Sequence, residues 1–201
     1  MRTFHLLALL GSILAMQSGA WSANTPDAHA HDAHAHHANA AYSRSVHIYK
    51  IPSLALVDSA GESVELSSLL ATDKPVLVNF IFTSCSAICP VMAATFTQVQ
   101  KRLGANPERV RLISVSIDPQ YDTPERLKAY ARRFNAQPDW HFLTGDPAVI
   151  RHVQEAFDAY RGGKSNHLPL TILRTAPGSS WVRIEGLASP DQLLRELEQR
   201  G

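Results

Sequence analysis

Apolar residues recur along the chain with two periods, which predict strands in some stretches and helices in others. Residues 74–82 (KPVLVNFIF) form a continuous apolar run with β-branched and aromatic members, which is typical of a strand covered on both faces. Residues 89–104 have helical spacing that ends at Gly104, and residues 109–117 (RVRLISVSI) predict the next strand. The buried stripe of the helix is expected to consist of Val91, Phe96, Val99 and Leu103.

The same signals extend the alternation of strands and helices over most of the chain. Further strands are predicted at residues 45–51, 140–145, 168–175 and 180–186, and a hairpin with a glycine-containing turn is predicted at residues 53–70. Helices are predicted to begin at Pro124 behind Asp122 or Thr123 as the cap, at Pro147, and behind Ser189. This order indicates an α/β fold with a central mixed sheet, flanking helices and an N-terminal hairpin, in which the last two strands are antiparallel.

The first twenty residues differ from this pattern. Arg2 is followed by an apolar stretch and then by small residues up to Ala20, which is typical of a secretory signal peptide. The apolar stretch is shorter than the ~20 residues that a comfortable membrane span needs. We therefore expect export, either to the periplasm or, if the segment is not cleaved, to the outer face of the inner membrane as an anchored protein.

Residues 21–45 are rich in alanine and histidine and have no hydrophobic face, so they predict a disordered linker. Five histidines fall within nine residues of it, namely His29, His31, His34, His36 and His37. Imidazole is a good ligand for copper, zinc and nickel, which favours a loose metal-collecting tail over an inert linker.

The length and charge of the chain restrict its organisation and its partners. Its 201 residues suffice for one domain of ordinary size with an appendage, so residues 46–201 are interpreted as a single folded domain, expected to be monomeric. The formal net charge of +1 gives no indication of nucleic acid as a partner.

Cys85 and Cys89 are the only cysteines of the chain, and they carry its main chemical signal. They stand where a buried strand passes into a helix, and the free amides of a helix N-terminus are expected to lower the pKa of both thiols. Their spacing places both sulfurs on one helical face, where they can form a disulfide or bind one soft metal ion. A disulfide across so short a loop would stabilise the fold little, which favours reactivity over a structural role.

A third metal ligand would have to come from another part of the chain. The candidate is His167, which follows the flexible pair Gly162 and Gly163 and stands just before a predicted strand. From its spacing alone, this histidine is either a ligand or a solvent-exposed loop residue.

Four stretches together resemble the Sco/SenC family of thioredoxin-like copper chaperones, which help to assemble the copper centre of cytochrome c oxidase. They are FIFTSCSAICP, SVSIDPQYDTPERLKAYARRF, WHFLTG and the later histidine before a strand. The resemblance extends from about Leu54 to the C-terminal helix. It implies that Cys85, Cys89 and His167 bind a copper ion, Cu(I) or Cu(II), and that the two cysteines form a disulfide when oxidised. It also implies an oxidase subunit or another copper protein as partner.

Two positions near His167 bear on this resemblance. Asn166 stands where family members usually carry an aspartate, which could orient the imidazole or tune the charge of the site. Pro169 lies at the start of a strand, where thioredoxin-like oxidoreductases place a cis-proline, so we consider a cis bond here as a hypothesis.

Two functions of different classes are compatible with these residues. The first is a metallochaperone that binds copper through two thiolates and one neutral imidazole. The second is a thiol–disulfide oxidoreductase in which Cys85 attacks a partner disulfide and Cys89 resolves the mixed disulfide. The two roles do not exclude each other, because the sulfurs must be reduced before they bind copper.

Overall fold

The computed structural model describes residues 42–106 and 109–199. The predicted signal peptide and the five histidines of the predicted linker lie outside these residues. None of the helices in the described part combines the length and the apolarity that crossing a bilayer requires.

Strands and helices alternate through the described residues, as the periodicity predicts. The strands are β1 (Tyr42–His47), β2 (Ala55–Asp58), β3 (Ser63–Glu65), β4 (Val76–Ile81), β5 (Arg111–Ser116), β6 (Trp140–Thr144), β7 (Leu170–Arg174) and β8 (Trp181–Gly186). The helices are α1 (Leu66–Leu70), α2 (Ile88–Arg102), α3 (Pro124–Arg133), α4 (Pro147–Ala156) and α5 (Pro190–Glu198).

All of these strands belong to one mixed sheet, in the order β1-β8-β7-β4-β5-β6-β2-β3. The central strand β4 is parallel to β5 and antiparallel to β7. The strands β2 and β3 form the predicted hairpin, in which Gly61 adopts a φ of +89° that other residues rarely tolerate. The hairpin is shorter than predicted, because β3 ends at Glu65 and residues 66–70 form α1. The sheet with its flanking helices confirms the predicted α/β architecture.

Two hydrophobic layers cover the sheet, one on each face. Residues of β4 contribute to both layers in alternation: Val76, Val78 and Phe80 pack on the side of α1 and α4, and Leu77 and Ile81 pack on the side of α2, α3 and α5. Every residue of β4 is buried, which confirms the prediction of a strand covered on both faces.

The first strand begins and ends earlier than its sequence pattern predicts. β1 starts at Tyr42, ahead of the domain boundary predicted at Val46, and it ends at His47 and not at residue 51. It pairs with β8, and His47 lies opposite Trp181, the first residue of that strand. The pairing between β1 and β8 therefore ends at His47 and does not include residues 48–51.

The buried stripe of α2 is rotated relative to the predicted one. Val91 is exposed, whereas Cys89, Met92, Phe96 and Val99 are buried. These residues are three or four positions apart, so they share one face, and this face packs against the sheet. The predicted place of Val91 in the core is therefore wrong.

A buried ion-pair network joins the beginnings of β4, β5 and β6. Asp139 accepts hydrogen bonds from Lys74 Nζ (2.5 Å), Arg111 Nε (2.7 Å) and His141 Nε2 (3.1 Å), and its side chain is only 8% exposed. Burial alone would raise its pKa, but these hydrogen bonds outweigh burial and lower the pKa of Asp139 to about 2.

We expect Asp139→Asn to lower the free energy of unfolding at neutral pH by about 1–3 kcal/mol, because it leaves partly buried cations without their carboxylate. Asparagine also tolerates the positive φ of this position (+66°), so the substitution isolates the charge. The folded-state pKa is depressed from 3.8, so the contribution is complete above pH 4 and is lost as the pH falls towards 2. Urea unfolding across this range measures it.

The matched control is Asp73→Asn, at an exposed position whose carboxylate makes no ion pair with the described residues. A difference between Asp139→Asn and the unchanged protein that stays constant from pH 7 to pH 2 would contradict the assignment.

Candidate metal centre

Three chain segments meet at one edge of the sheet because of the strand directions. β4 and β5 are parallel, with Ile81 opposite Ser116, so both strands end at this edge. β7 is antiparallel to β4, with Asn79 opposite Thr171, so it begins where β4 ends. The segments at this edge are the cysteine loop (residues 82–87), the aspartate turn (residues 117–123) and the histidine loop (residues 161–169).

The cysteine loop turns sharply from β4 into α2. The amide of Cys85 donates to the carbonyl oxygen of Phe82 (3.1 Å), which closes the turn, and α2 begins at Ile88. Cys85 is half-buried ahead of the helix, whereas Cys89 lies in its first turn and is completely buried. The predicted placement of both sulfurs on one helical face is therefore wrong, because α2 begins three residues after Cys85. Both are free thiols in this structure.

The two thiols have opposite pKa shifts. For Cys85, burial acts to raise the pKa, but hydrogen bonds from the amides of Cys89, Ala87 and Ile88 and from the Cys89 thiol together lower it. For Cys89, burial raises the pKa to about 12, and the adjacent Cys85 sulfur adds to the shift. The prediction of a lowered pKa therefore holds for Cys85 and is wrong for Cys89. The pair consists of one activated sulfur and one buried thiol that donates to it.

His167 is bound to the end of the same strand. Its Nε2 lies 2.9 Å from the carbonyl oxygen of Phe80, and its ring meets that of Phe82 edge-on with 6.2 Å between centroids. A carbonyl oxygen can only accept, so Nε2 carries the proton. Burial lowers the pKa of His167 although this hydrogen bond opposes the shift, so the imidazole is neutral at pH 7 with a free lone pair on Nδ1.

The predicted ligands thus share one edge of the sheet without forming a closed coordination shell. Cys85 is tied to Phe82, and His167 is tied to Phe80. Across residues 42–106 and 109–199, no three His, Cys, Asp or Glu side chains stand close enough together to hold a metal ion.

A buried carboxylate that the sequence analysis did not assign to the site supports the cysteine loop. Asp122 is fully buried and accepts hydrogen bonds from the amide and hydroxyl of Thr83 (3.1 and 2.5 Å) and from the hydroxyl of Ser116 (2.6 Å). The helix cap is Thr123, whose hydroxyl accepts from the amide of Arg126. The sequence did contain an indication of this role. Asp122 and Thr123 are both candidate caps of α3, but a helix needs only one, so the other residue was available for a different contact.

The neighbours of His167 differ in part from expectation. All peptide bonds in the described residues are trans, including the bond that precedes Pro169, so the hypothesis of a cis-proline is wrong. Pro169 directly precedes β7, and its carbonyl oxygen accepts from the amide of Gly186 (2.9 Å). Asn166 donates from Nδ2 to the carbonyl oxygen of Arg161 (3.3 Å), a contact within the histidine loop.

Similarity to known proteins supports the predicted relationship. The SCO1/SenC family model matches residues 49–199. An SCO1 protein homolog of Bacillus subtilis (strain 168) is 41% identical over 98 residues, which are 48% of this chain and 50% of that protein. An SCO2-like protein of Rickettsia typhi is 34% identical over 117 residues, 56% of each chain. The chain thus spans about half the length of these curated relatives.

Solved structures resemble the fold over most of its length. The copper-bound ScoI of Bradyrhizobium japonicum is 29% identical with a TM-score of 0.61, covering 74% of this chain and 97% of that chain. BsSco, described as a member of the Sco family of cytochrome c oxidase assembly proteins with a disulfide switch, is 29% identical with a TM-score of 0.62, covering 75% and 92%. These similarities confirm the predicted thioredoxin-like fold.

The opposite pKa shifts predict unequal reactivity of the two cysteines. We expect iodoacetamide at pH 7 to modify Cys85 at least about tenfold faster than Cys89, because Cys85 is both more ionised and more exposed. The rate at Cys85 should reach half of its maximum at a pH below the ordinary thiol pKa of about 8.5. Peptide mass spectrometry of the reduced protein measures both rates.

Cys89→Ser serves as the control, since a serine hydroxyl still donates to the Cys85 sulfur and fast labelling should persist. Equal labelling of the two cysteines would refute the assignment.

Proposed function

The chain belongs to the SCO1/SenC family, and we propose that it is a metallochaperone that carries one copper ion on Cys85, Cys89 and His167. The observation that supports this function best is the donor set beyond the end of β4: an activated sulfur, a buried thiol that donates a hydrogen bond to it, and a neutral imidazole with a free nitrogen. The ScoI of Bradyrhizobium japonicum, a relative solved with copper bound, supports the same metal.

The chemistry of these donors suits copper. Cu(I) prefers soft thiolates, and two sulfurs with one imidazole give it a three-coordinate site, to which Cu(II) adds a fourth ligand. The N–H of His167 donates to the carbonyl of Phe80, the kind of outer contact that orients a ligating imidazole in metal sites. The buried Cys89 keeps its proton until the cation displaces it, so copper binding releases a proton.

Delivery requires an accessible ligand, and Cys85 is the more exposed of the two sulfurs. An incoming ligand from a partner would contact the copper from the side of Cys85 and exchange with the protein ligands one at a time. By its family, we propose that the partner is a subunit of cytochrome c oxidase or another copper protein, which the chain meets after export.

Thiol–disulfide exchange is the second candidate, favoured by the unequal pKa values of the pair. The Cys85 thiolate would attack a partner disulfide and release one partner thiol. Cys89 would then lose its proton, attack the mixed disulfide and release the second partner thiol, leaving the Cys85–Cys89 disulfide. Two electrons pass from the cysteine pair to the partner, and His167 is not required.

His167→Ala separates the two functions. We expect the reduced protein to bind one equivalent of Cu(I) tightly. The Cu(I) affinity of the variant should fall by more than the roughly 10- to 100-fold that the loss of an outer-shell contact causes, because the substitution removes a direct ligand. Exchange with a small disulfide should continue at a similar rate. Competition titration against a Cu(I) chelator and a stopped-flow thiol assay provide the two measurements.

The matched control is His152→Ala, which removes an exposed imidazole from α4. Unchanged copper affinity in His167→Ala would overturn the proposed ligand set.

The histidine-rich segment offers a separate test. We propose that its imidazoles collect copper weakly and raise the copper concentration near the centre. Replacing His29, His31, His34, His36 and His37 by alanine should remove only weak Cu(II) equivalents in isothermal titration and retain the tight Cu(I) equivalent. Loss of the tight equivalent would place the copper site in that segment and refute the proposal for the folded domain.

A further inference from the structure

The aspartate turn carries two carboxylates whose contacts extend in different directions. Its backbone is closed by hydrogen bonds from the amides of Tyr121 (2.9 Å) and Asp122 (2.8 Å) to the carbonyl oxygen of Asp118. The amide of Asp118 donates in turn to the hydroxyl of Ser116 (3.0 Å), which itself donates to Asp122. The two carboxylates therefore belong to one hydrogen-bonded unit at the end of β5.

The first contact of this unit is to the cysteine loop. Both oxygens of Asp122 are occupied by Thr83 and Ser116, and Thr83 stands two residues before Cys85. Because the carboxylate is buried, loss of these donors would leave a charge without partners, which is costly. The position of Thr83, and with it the start of the cysteine loop, is thus tied to the turn.

The second contact of the unit is to the histidine loop. Lys164 forms an ion pair with Asp118, whose side chain is only 15% exposed. The ammonium group also lies 5.7 Å from the ring centroid of Phe82 and 6.0 Å from that of Tyr121, within the range of cation–π attraction.

Lys164 and His167 belong to one short hydrogen-bonded unit of backbone. Lys164 is the first residue of a single 3-10 turn and His167 is its C-cap, and the amide of His167 donates to the carbonyl oxygen of Lys164 (3.2 Å). The turn is preceded by Gly162, with a φ of +80°, and by Gly163, so the chain leading to it has little stiffness of its own. Anchoring Lys164 therefore restricts where the imidazole can lie.

We propose that the aspartate turn is the positioning element of the metal centre, holding the cysteine loop through Asp122 and the histidine loop through Asp118 and Lys164. Both loops are then ordered before the ion arrives, so binding does not have to include the loss of conformational entropy that ordering them would require. This positioning role rests on the proposed copper binding, and it assigns a purpose to the Asp-Pro-x-x-Asp-Thr-Pro element, which supplies none of the proposed ligands.

A double-mutant cycle on the full chain tests the contact with the histidine loop. Asp118→Asn and Lys164→Gln should each weaken Cu(I) affinity roughly three- to tenfold, the range of a partly exposed ion pair with added cation–π contacts. The double variant should lose no more than either single variant, because the same contact is removed. Lys164→Arg, which keeps the charge, should bind within about twofold of the unchanged protein. Additive losses in the double variant would overturn the proposal.

The contact with the cysteine loop is tested by Thr83→Val, which removes the hydroxyl but keeps the shape. This variant should weaken Cu(I) binding and change the rate of Cys85 alkylation, whereas Thr83→Ser should restore both. A matched control is Asp191→Asn, which breaks the exposed ion pair between Arg102 and Asp191 far along the chain from the centre. It should leave copper affinity unchanged, and an equal loss in this control would overturn the proposal.

Hydrogen exchange of the copper-free protein gives a readout that does not depend on copper. Asp118→Asn and Lys164→Gln should accelerate exchange of the amides in the histidine loop and leave those of β4 unchanged. If the unchanged protein binds no Cu(I), the proposed function fails, while faster exchange in these variants still supports the positioning role. Unchanged exchange in the histidine loop would overturn the positioning role even if copper binds.

Discussion

The carboxyl end of strand β4 and the residue that follows it hold both halves of the candidate metal centre through main-chain carbonyl groups. Phe80 accepts from the imidazole of His167, and Phe82 accepts from the amide of Cys85. β4 lies between β5 and β7 and is buried along its whole length. The carbonyl group of Phe80 cannot shift without disturbing close-packed layers on both faces of the sheet, and Phe82 is the first residue after this strand. The geometry of the centre is therefore supported by the core, although the chemical groups themselves stand on loops.

Burial also divides the chemical roles within the centre. Cys89 lies completely inside the layer under α2 and retains its proton, whereas Cys85 stands ahead of the helix and receives the amide hydrogen bonds that favour a thiolate. A copper ion or a partner sulfur that approaches from solvent meets the activated sulfur first, and the second follows when its proton is displaced. The same inequality suits metal transfer and disulfide exchange, which explains why one cysteine pair supports both hypotheses.

Most of the fold follows from local patterns. Caps such as Ser189, which forms a capping box with Gln192, and the two-sided apolar run of β4 act over a few residues, so the sequence alone locates them. The predictions that were wrong concern segments whose ends or orientation depend on contacts with residues distant in the sequence. β1 ends where β8 begins at Trp181, and the packing of α2 buries Cys89 and Met92 and leaves Val91 exposed. The apolar periodicity of residues 45–51 does not predict where β1 ends, and that of residues 89–104 does not predict which face of α2 is buried.

For the centre, the sequence by itself determined the donor types, the position of the two cysteines where a buried strand passes into a helix, and His167 as the candidate third ligand. Only the tertiary structure decided which thiol is activated, which nitrogen of the imidazole is free, and that Asp122 supports the cysteine loop. The physical reason is that spacing is a property of neighbouring residues, whereas burial and hydrogen bonds between segments depend on how the whole chain packs. A cysteine at a helix start is expected to ionise; whether it does depends on how much water the surrounding core leaves around its sulfur.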